Sequence, residues 1–366
     1  MIVSCIVNPF FGGGIARHTR EMIGGLAGRP GFECRLLASS RDLAARPRFL
    51  DDFRGMAVQS LPLPVQMMDR VWKATGWPPA DRFVRGSDVL YSPAHGRLPT
   101  KAIPNVMTVH DIQAFETDLP WSDSRQHRLF RAKWASWLPK AGRECARILT
   151  VSEFSKRRLT ELVGIDPAKI GVVGNGVSEC FFAAGQRTPE ARHDRVVVVG
   201  GIRTTKGAAD TLAVARELAR IRSPLVITVV GQNDPEWAAK AEGMANVQLA
   251  GAIGDDELAT MLASSVALLF LTPYEGFGIP AVEAMAAGAP PVVSNRASLP
   301  EIVGDAGLVV DPSQHAAIAG MLERLREEKE FRSRWVKTGL EHARNFTWPK
   351  CVERLARELE YAVVMK

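Results

Sequence analysis

Short apolar runs, each followed by a glycine-bearing or polar loop and then by a helical run, recur along the chain. The first is residues 1–7, followed by Asn8-Pro9-Phe10-Phe11-Gly12-Gly13-Gly14 and a helical stretch from about Ile15 to Leu26. Further strands are predicted at 88–91, at 105–109 and at 147–151, the last before a helix opening at Ser152. Such alternation predicts a parallel sheet with helices on both faces.

Residues 183–194 read Ala-Ala-Gly-Gln-Arg-Thr-Pro-Glu-Ala-Arg-His-Asp, polar and without apolar period, and are expected to form a linker. The alternation then restarts: strand 196–199, helix from about Ala208, strand 225–230, helix from Asp255, strand 266–271, helix from Ile279, strand 291–294. Residues 1–182 and 195–348 are therefore expected to be two α/β domains, each doubly wound. In the last stretch, 349–366, Val352, Leu355, Leu359 and Val363 recur at helical spacing, so a terminal helix is expected to pack back on a domain, the first being one candidate.

A length of 366 residues suits two domains, each large enough to bury a core. The balance of 46% apolar and 23% charged residues is that of a folded globular chain and excludes disordered and fibrous classes. Apolar stretches such as 266–271 fall well short of the roughly 18 residues that span a bilayer, and the first residues read as a buried strand rather than a leader. A cytoplasmic protein is expected. Cys5, Cys34, Cys145, Cys180 and Cys351 form no C-x-x-C pair and have no histidine at metal-ligand spacing, which predicts reduced packing residues and no metal site. The net charge of +6 is uneven: residues 121–158 hold ten Lys or Arg against three Asp or Glu.

In an open parallel sheet, ligands bind beyond the carboxyl ends of the strands. After the strand ending Phe270-Leu271-Thr272 comes Pro273-Tyr274-Glu275-Gly276-Phe277-Gly278-Ile279-Pro280, with Pro280 suited to the first turn of a helix. Gly276 and Gly278 allow close backbone approach, and the amides of Phe277, Gly278 and Ile279 face an anion with the helix dipole behind them. Glu275 and Glu283 bracket that loop, and a carboxylate can accept two hydrogen bonds from the vicinal diol of a ribose or a hexose. The same residue types also fit a helix with one capping acid and one exposed acid.

The run Glu275-Gly276-Phe277-Gly278-Ile279-Pro280-Ala281-Val282-Glu283-Ala284-Met285-Ala286-Ala287-Gly288-Ala289-Pro290-Pro291-Val292-Val293 resembles the signature of the family-four retaining glycosyltransferases, glycosyl transferases group 1. Val151-Ser152-Glu153-Phe154-Ser155-Lys156-Arg157-Arg158-Leu159, Val173-Gly174-Asn175-Gly176-Val177 and Ser298-Leu299-Pro300-Glu301-Ile302-Val303-Gly304-Asp305-Ala306-Gly307 resemble that family in the expected order. The resemblance implies the GT-B fold, two Rossmann-like doubly wound domains facing a central cleft. It implies transfer of a hexose, mannose-type or glucose-type, from a UDP- or GDP-sugar to a hydroxyl of a glycan or lipid-linked acceptor, with retention and without metal or cofactor, in cell-surface polysaccharide synthesis. Glu275 would contact the donor sugar, Glu283 the ribose, and Gly276, Phe277, Gly278 and Ile279 the sugar and phosphates. No side chain stands out as a covalent nucleophile, so a front-face displacement is expected, with closure about 183–194 completing the site.

Other residues take roles from the same resemblance. Gly200-Gly201-Ile202-Arg203-Thr204-Thr205-Lys206-Gly207 offers Arg203 and Lys206 to neutralise a departing diphosphate. Relatives usually carry Arg directly before the Lys or straight after the first Gly; here Thr205 and Gly201 stand there, and Arg203 would substitute. Val109-His110-Asp111-Ile112 resembles the family's His-Asp element on the acceptor side, although a histidine after a strand also fits a loop hydrogen bond. Gly12, Gly13 and Gly14 lack dinucleotide-fingerprint spacing; by resemblance they let acceptor and diphosphate approach the backbone. Residues 121–147 interleave Trp121, Phe130, Trp134 and Trp137 with Arg125, Arg128, Arg131, Lys133, Lys140 and Arg143, which fits a partly packed solvated helix or peripheral contact with the inner face of a membrane. Nothing resembles a nucleic-acid module. The alternatives are a nucleotide-sugar epimerase, a phosphorylase, or a non-catalytic glycan-binding or lipid-head-group-binding relative; for the pyridoxal-binding lysine typical of glucan phosphorylases there is no clear candidate.

Overall fold

The structure is a computed structural model and describes residues 1–94, 96–187 and 193–365. The chain divides into two compact units: Met1–Asp118, Ser122–Asn175 and the residues from Trp348 on form the first, and Leu119–Trp121 with Gly176–Thr347 the second.

In the first unit, strands β1 (Ile2–Ile6), β2 (Glu33–Ser39), β3 (Ala57–Leu61), β4 (Val89–Ser92), β5 (Asn105–Val109), β6 (Arg147–Thr150) and β7 (Ile170–Val172) form one parallel sheet in the order β3-β2-β1-β4-β5-β6-β7. β1 is central, with Val3 opposite Cys34 on one side and Val89 on the other, and every residue of Val3, Ser4, Cys5 and Ile6 is buried. That is why β1 reads as a continuous apolar run. The terminal helix Trp348–Val364 lays Cys351, Val352, Leu355, Ala356, Leu359 and Ala362 into the same core as Met22, Leu26 and Leu36. Its expected stripe is nearly the observed one, with Val363 at the edge.

In the second unit, β8 (Arg195–Val199), β9 (Val226–Val230), β10 (Val247–Gly251), β11 (Ala267–Phe270), β12 (Pro291–Ser294) and β13 (Leu308–Val310) form a parallel sheet in the order β10-β9-β8-β11-β12-β13. This is the doubly wound nucleotide-binding order, whose direction reverses between β8 and β11.

The domain boundary differs from that read at 183–194. The chain passes between units at Asn175 and Gly176, and Ala183, Ala184 and Gly185 end a helix, Glu179–Gly185, that packs on Asp255–Ala263 and Ile279–Ala286 within the second unit. Phe181 and Ala184 are the buried anchors of that helix, an apolar pair too brief to show a period. Residues 188–192 of the expected linker lie outside the described residues. All five cysteines are free; four are buried, whereas Cys180 is half-buried. Among the described residues no helix is long and apolar enough to cross a membrane.

Candidate functional site

The loops after β8 and β11 meet at the reversal point of the second sheet. After β8 the backbone takes left-handed conformations at Gly200 (φ 103°) and Gly201 (φ 79°). A Cβ on Gly201 would lie 1.6 Å from the Gln232 carbonyl oxygen, so only glycine fits. The loop is pinned from the side: Ile202 N donates to Asn233 Oδ1 at 2.8 Å and Thr204 N to Asp234 Oδ2 at 3.1 Å. A single 3-10 turn, Thr204–Lys206, then folds the Lys206 stem back over Gly200, whose added Cβ would touch Lys206 Cε at 3.4 Å. Arg203 Nε donates to the Gly200 carbonyl at 3.0 Å, bracing the same loop.

After β11, hydroxyl groups fix the peptide orientations. Ser294 Oγ donates to the Thr272 carbonyl at 2.7 Å, and Ser298 Oγ lies 2.9 and 3.0 Å from the carbonyls of Glu275 and Phe277. Gly278 (φ 97°, ψ 51°) forms the N-cap of the helix Ile279–Ala286, with Pro280 in its first turn. The first-turn amides of a helix have no intrahelical partner and carry the positive end of its dipole. Lys206 Nζ and Glu275 Oε1 form an ion pair with both side chains mostly buried, 24% and 18% exposed. Glu283 is 3% exposed, so it is neither a capping acid nor a solvated one. The structure thus gathers Arg203, Lys206, Glu275 and the Gly276, Phe277, Gly278, Ile279 turn around one reversal point, a cation and amide donors beside a carboxylate. Such a set has the chemistry to hold a diphosphate and to accept hydrogen bonds from hydroxyls.

The first sheet reverses between β1 and β4. Gly12, Gly13 and Gly14 open the helix Gly13–Ala27 and are exposed, and a Cβ on Gly12 or Gly13 would meet nothing within 4 Å, so the space over that N-terminus is open. His110, after β5, is buried, with Nε2 2.8 Å from the Pro93 carbonyl. A carbonyl only accepts, so Nε2 carries the proton and Nδ1 is left as acceptor. Burial pulls the His110 pKa from 6.5 down to about 4, against the smaller opposing effect of the Pro93 bond. Asp111 Oδ1 accepts from Gln113 N at 3.2 Å in a local turn.

His18 is an addition to the residues singled out in the sequence. Its ring meets His110 edge-on at 4.6 Å, and its Nδ1 lies 2.8 Å from Asn175 Oδ1. Burial first, then neighbouring His110, lowers its pKa well below 6.5. The signal was present: His18, Met22 and Leu26 share the buried stripe of one helix at spacing four, and a histidine on such a stripe must be satisfied inside. Within 121–147, Trp134 and Trp137 are core residues, Pro139 starts the helix Leu138–Glu144, and Leu129 and Phe130 are the exposed apolar side chains. Among the described residues no group of three or more His, Cys, Asp or Glu is placed to hold a metal.

Two family models cover the chain in succession: Glycosyltransferase Family 4 over residues 12–179 and Glycosyl transferases group 1 over residues 186–342. The chain belongs to this glycosyltransferase family. The glycosyltransferase is 27% identical over 281 residues to the O-antigen chain mannosyltransferase B of Escherichia coli, covering 72% of each chain. It is 29% identical over 280 residues to the MMP alpha-(1->4)-mannosyltransferase of Mycolicibacterium hassiacum, covering 73% of this chain and 67% of the relative. Among solved structures it is similar to a sucrose-phosphate synthase from Thermosynechococcus elongatus, at 16% identity with a TM-score of 0.75 over the whole of both chains. It is also similar to Anabaena HepE in complex with UDP and glucose, at 16% identity and a TM-score of 0.70 over 98% of this chain and 99% of that one. These solved structures share the GT-B fold with this glycosyltransferase.

Proposed function

We propose that the protein is a retaining, metal-independent hexosyltransferase that takes a mannose-type or glucose-type sugar from a UDP- or GDP-sugar and passes it to a hydroxyl of a glycan or lipid-linked glycan. The observation that carries this reading is the pairing of Lys206 with Glu275 beside the helix opened by Gly278, at the reversal point of the second sheet. A bound diphosphate would draw Lys206 onto its own charge, and Glu275 would then turn its carboxylate to the hydroxyls of the donor sugar. Glu283, buried one turn further along the helix, would take the ribose diol. Arg203 would stand in for the family's second phosphate-binding cation. On the first unit, His110, neutral at working pH, would accept a hydrogen bond from a hydroxyl at Nδ1 and so orient it. The bound UDP of the HepE structure and the mannosyltransferase relatives support a nucleotide-sugar donor. Polysaccharide synthesis, a cytoplasmic location and a peripheral membrane contact through exposed Leu129, Phe130, Arg125 and Arg128 belong to the same proposal.

Thermal-shift screening against UDP, GDP and their sugars, followed by an assay of nucleotide released with and without acceptor, tests it. One nucleotide should raise the melting temperature in proportion to the logarithm of its concentration over its Kd. Glu275→Gln and Lys206→Ala should each lower transfer by at least about 100-fold, the loss that follows removal of one preorganised charge-stabilising group. Full transfer by either folded variant contradicts the assignment, and a strict need for free phosphate would make the enzyme a phosphorylase.

A further inference from the structure

Phe277 lies between Gly276 and Gly278, so the turn whose amides would face the diphosphate gets little stiffness from its own backbone. Its side chain is 5% exposed, and the groups that hold it come from later in the chain. Ser298 Oγ lies 3.0 Å from the Phe277 carbonyl. The Phe277 ring meets that of Phe346 edge to face, with centroids 5.8 Å apart and planes at 77°. Phe346 is half-buried and follows the helix Lys329–Ala343, its N–H donating to the Ala343 carbonyl at 2.9 Å. His342, in the last turn of that helix, packs on Phe346 with centroids 5.2 Å apart, and its Nε2 donates to the Ile302 carbonyl at 2.9 Å. Ile302 N donates in turn to the Ser298 carbonyl at 3.0 Å. Phe277, Ser298, Ile302, His342 and Phe346 thus form a closed circuit within the second unit.

Phe346 also has a main-chain partner. Its carbonyl accepts from Val177 N at 3.0 Å, and Val177 pairs with Thr347 in a parallel bridge. The unit's main segment is Gly176–Thr347, so Val177 and Thr347 stand at its two ends. One residue therefore touches the glycine turn with its ring and the start of that segment with its carbonyl. A phosphate seated on the amides of Phe277, Gly278 and Ile279 needs them already aligned, and alignment held by packing reduces what binding must order. We propose that Phe346 is a positioning residue for the diphosphate: its ring fixes the Phe277 turn, and the Val177–Phe346 hydrogen bond responds to what occupies that turn. The role rests on the diphosphate reading of this loop proposed above. A ring that served folding alone would leave the nucleotide affinity of the folded protein unchanged.

Isothermal titration of the full chain with UDP and GDP tests it, in wild type, Phe346→Leu, Phe277→Leu and the double variant. For the nucleotide that binds, each single substitution should raise Kd about three- to tenfold, the contribution of an aromatic pair, and the double variant should be no weaker than the more affected single one. Amide hydrogen exchange at Val177 should slow when nucleotide saturates wild type, and slow less in Phe346→Leu at the same ratio of nucleotide to Kd. An unchanged Kd in folded Phe346→Leu, losses that add in the double variant, or Val177 exchange indifferent to nucleotide in wild type overturns the proposal. The last readout needs no variant, so it decides even where substitution prevents folding. Nucleotide binding that ignores Phe346 would remove this role and leave the donor reading standing; binding of neither UDP nor GDP to wild type would remove both.

Discussion

Glycine placement shows how individual residues hold the second unit's loops in shape. Gly201 has a left-handed backbone and abuts the Gln232 carbonyl, so Gly201→Ala adds both strain and a backbone clash. It should lower stability by at least about 3 kcal/mol in urea unfolding, or prevent folding of the unit. Gly12→Ala, where an added Cβ meets open space at an extended backbone, should cost under about 1 kcal/mol. Three buried histidines, His18, His110 and His127, all with pKa lowered first by burial, give a pH dependence whose sign is fixed. His110 titrates near 4 when folded and near 6.5 when exposed, so between those values the unfolded chain binds a proton that the folded chain refuses. Stability should therefore be full above pH 6.5 and fall as the pH drops toward 4. His110 alone accounts for about 2–3 kcal/mol at pH 4.5, and His18 acts in the same direction. Urea unfolding of wild type and His110→Asn at pH 7.5 and 4.5 measures it: the variant should show the smaller drop, and equal drops would assign the acid sensitivity elsewhere.

Among the elements, those with strong apolar periods were legible from residue types, and those without were not. β8, β11 and β12 are buried along nearly their whole length and read as unbroken apolar runs. β10 and β3 lie at sheet edges with half their residues exposed, and β7 and β13 are three residues long, so none offers a run to recognise. β2 is interior, but Arg35 interrupts its apolar sequence and reaches sideways to Glu33. The glycine loop and its two acids were legible because their chemistry is local. The Lys206–Glu275 pair, the Ser298 braces and the His18–His110 contact were not, because each joins residues far apart in the chain. The terminal helix gives a direct stability prediction. Leu359 is fully buried in the core of the first unit, so Leu359→Ala should cost about 2–5 kcal/mol, read as an earlier denaturant midpoint for that unit.

On the scale of the whole molecule, the first unit is closed by the helix Trp348–Val364, and both sheets carry the same doubly wound order, so the units differ in the loops beyond their strand ends. The proposed function gives the donor to the second unit through the Lys206 and Glu275 loops, and the acceptor to the first. Nucleoside diphosphate should stabilise the second unit selectively, while Leu359→Ala should weaken the first; in calorimetry the two perturbations should act on different parts of the unfolding profile. The central claim is the location of the diphosphate, and a crystal structure with the nucleotide chosen by the thermal screen tests it most directly. Pyrophosphate oxygens should lie within hydrogen-bond distance of the Ile279 amide and Lys206 Nζ, with Lys206 drawn from Glu275 onto the ligand. A nucleotide bound with its phosphates away from the β8 and β11 loops, and the Lys206–Glu275 pair untouched, would contradict it.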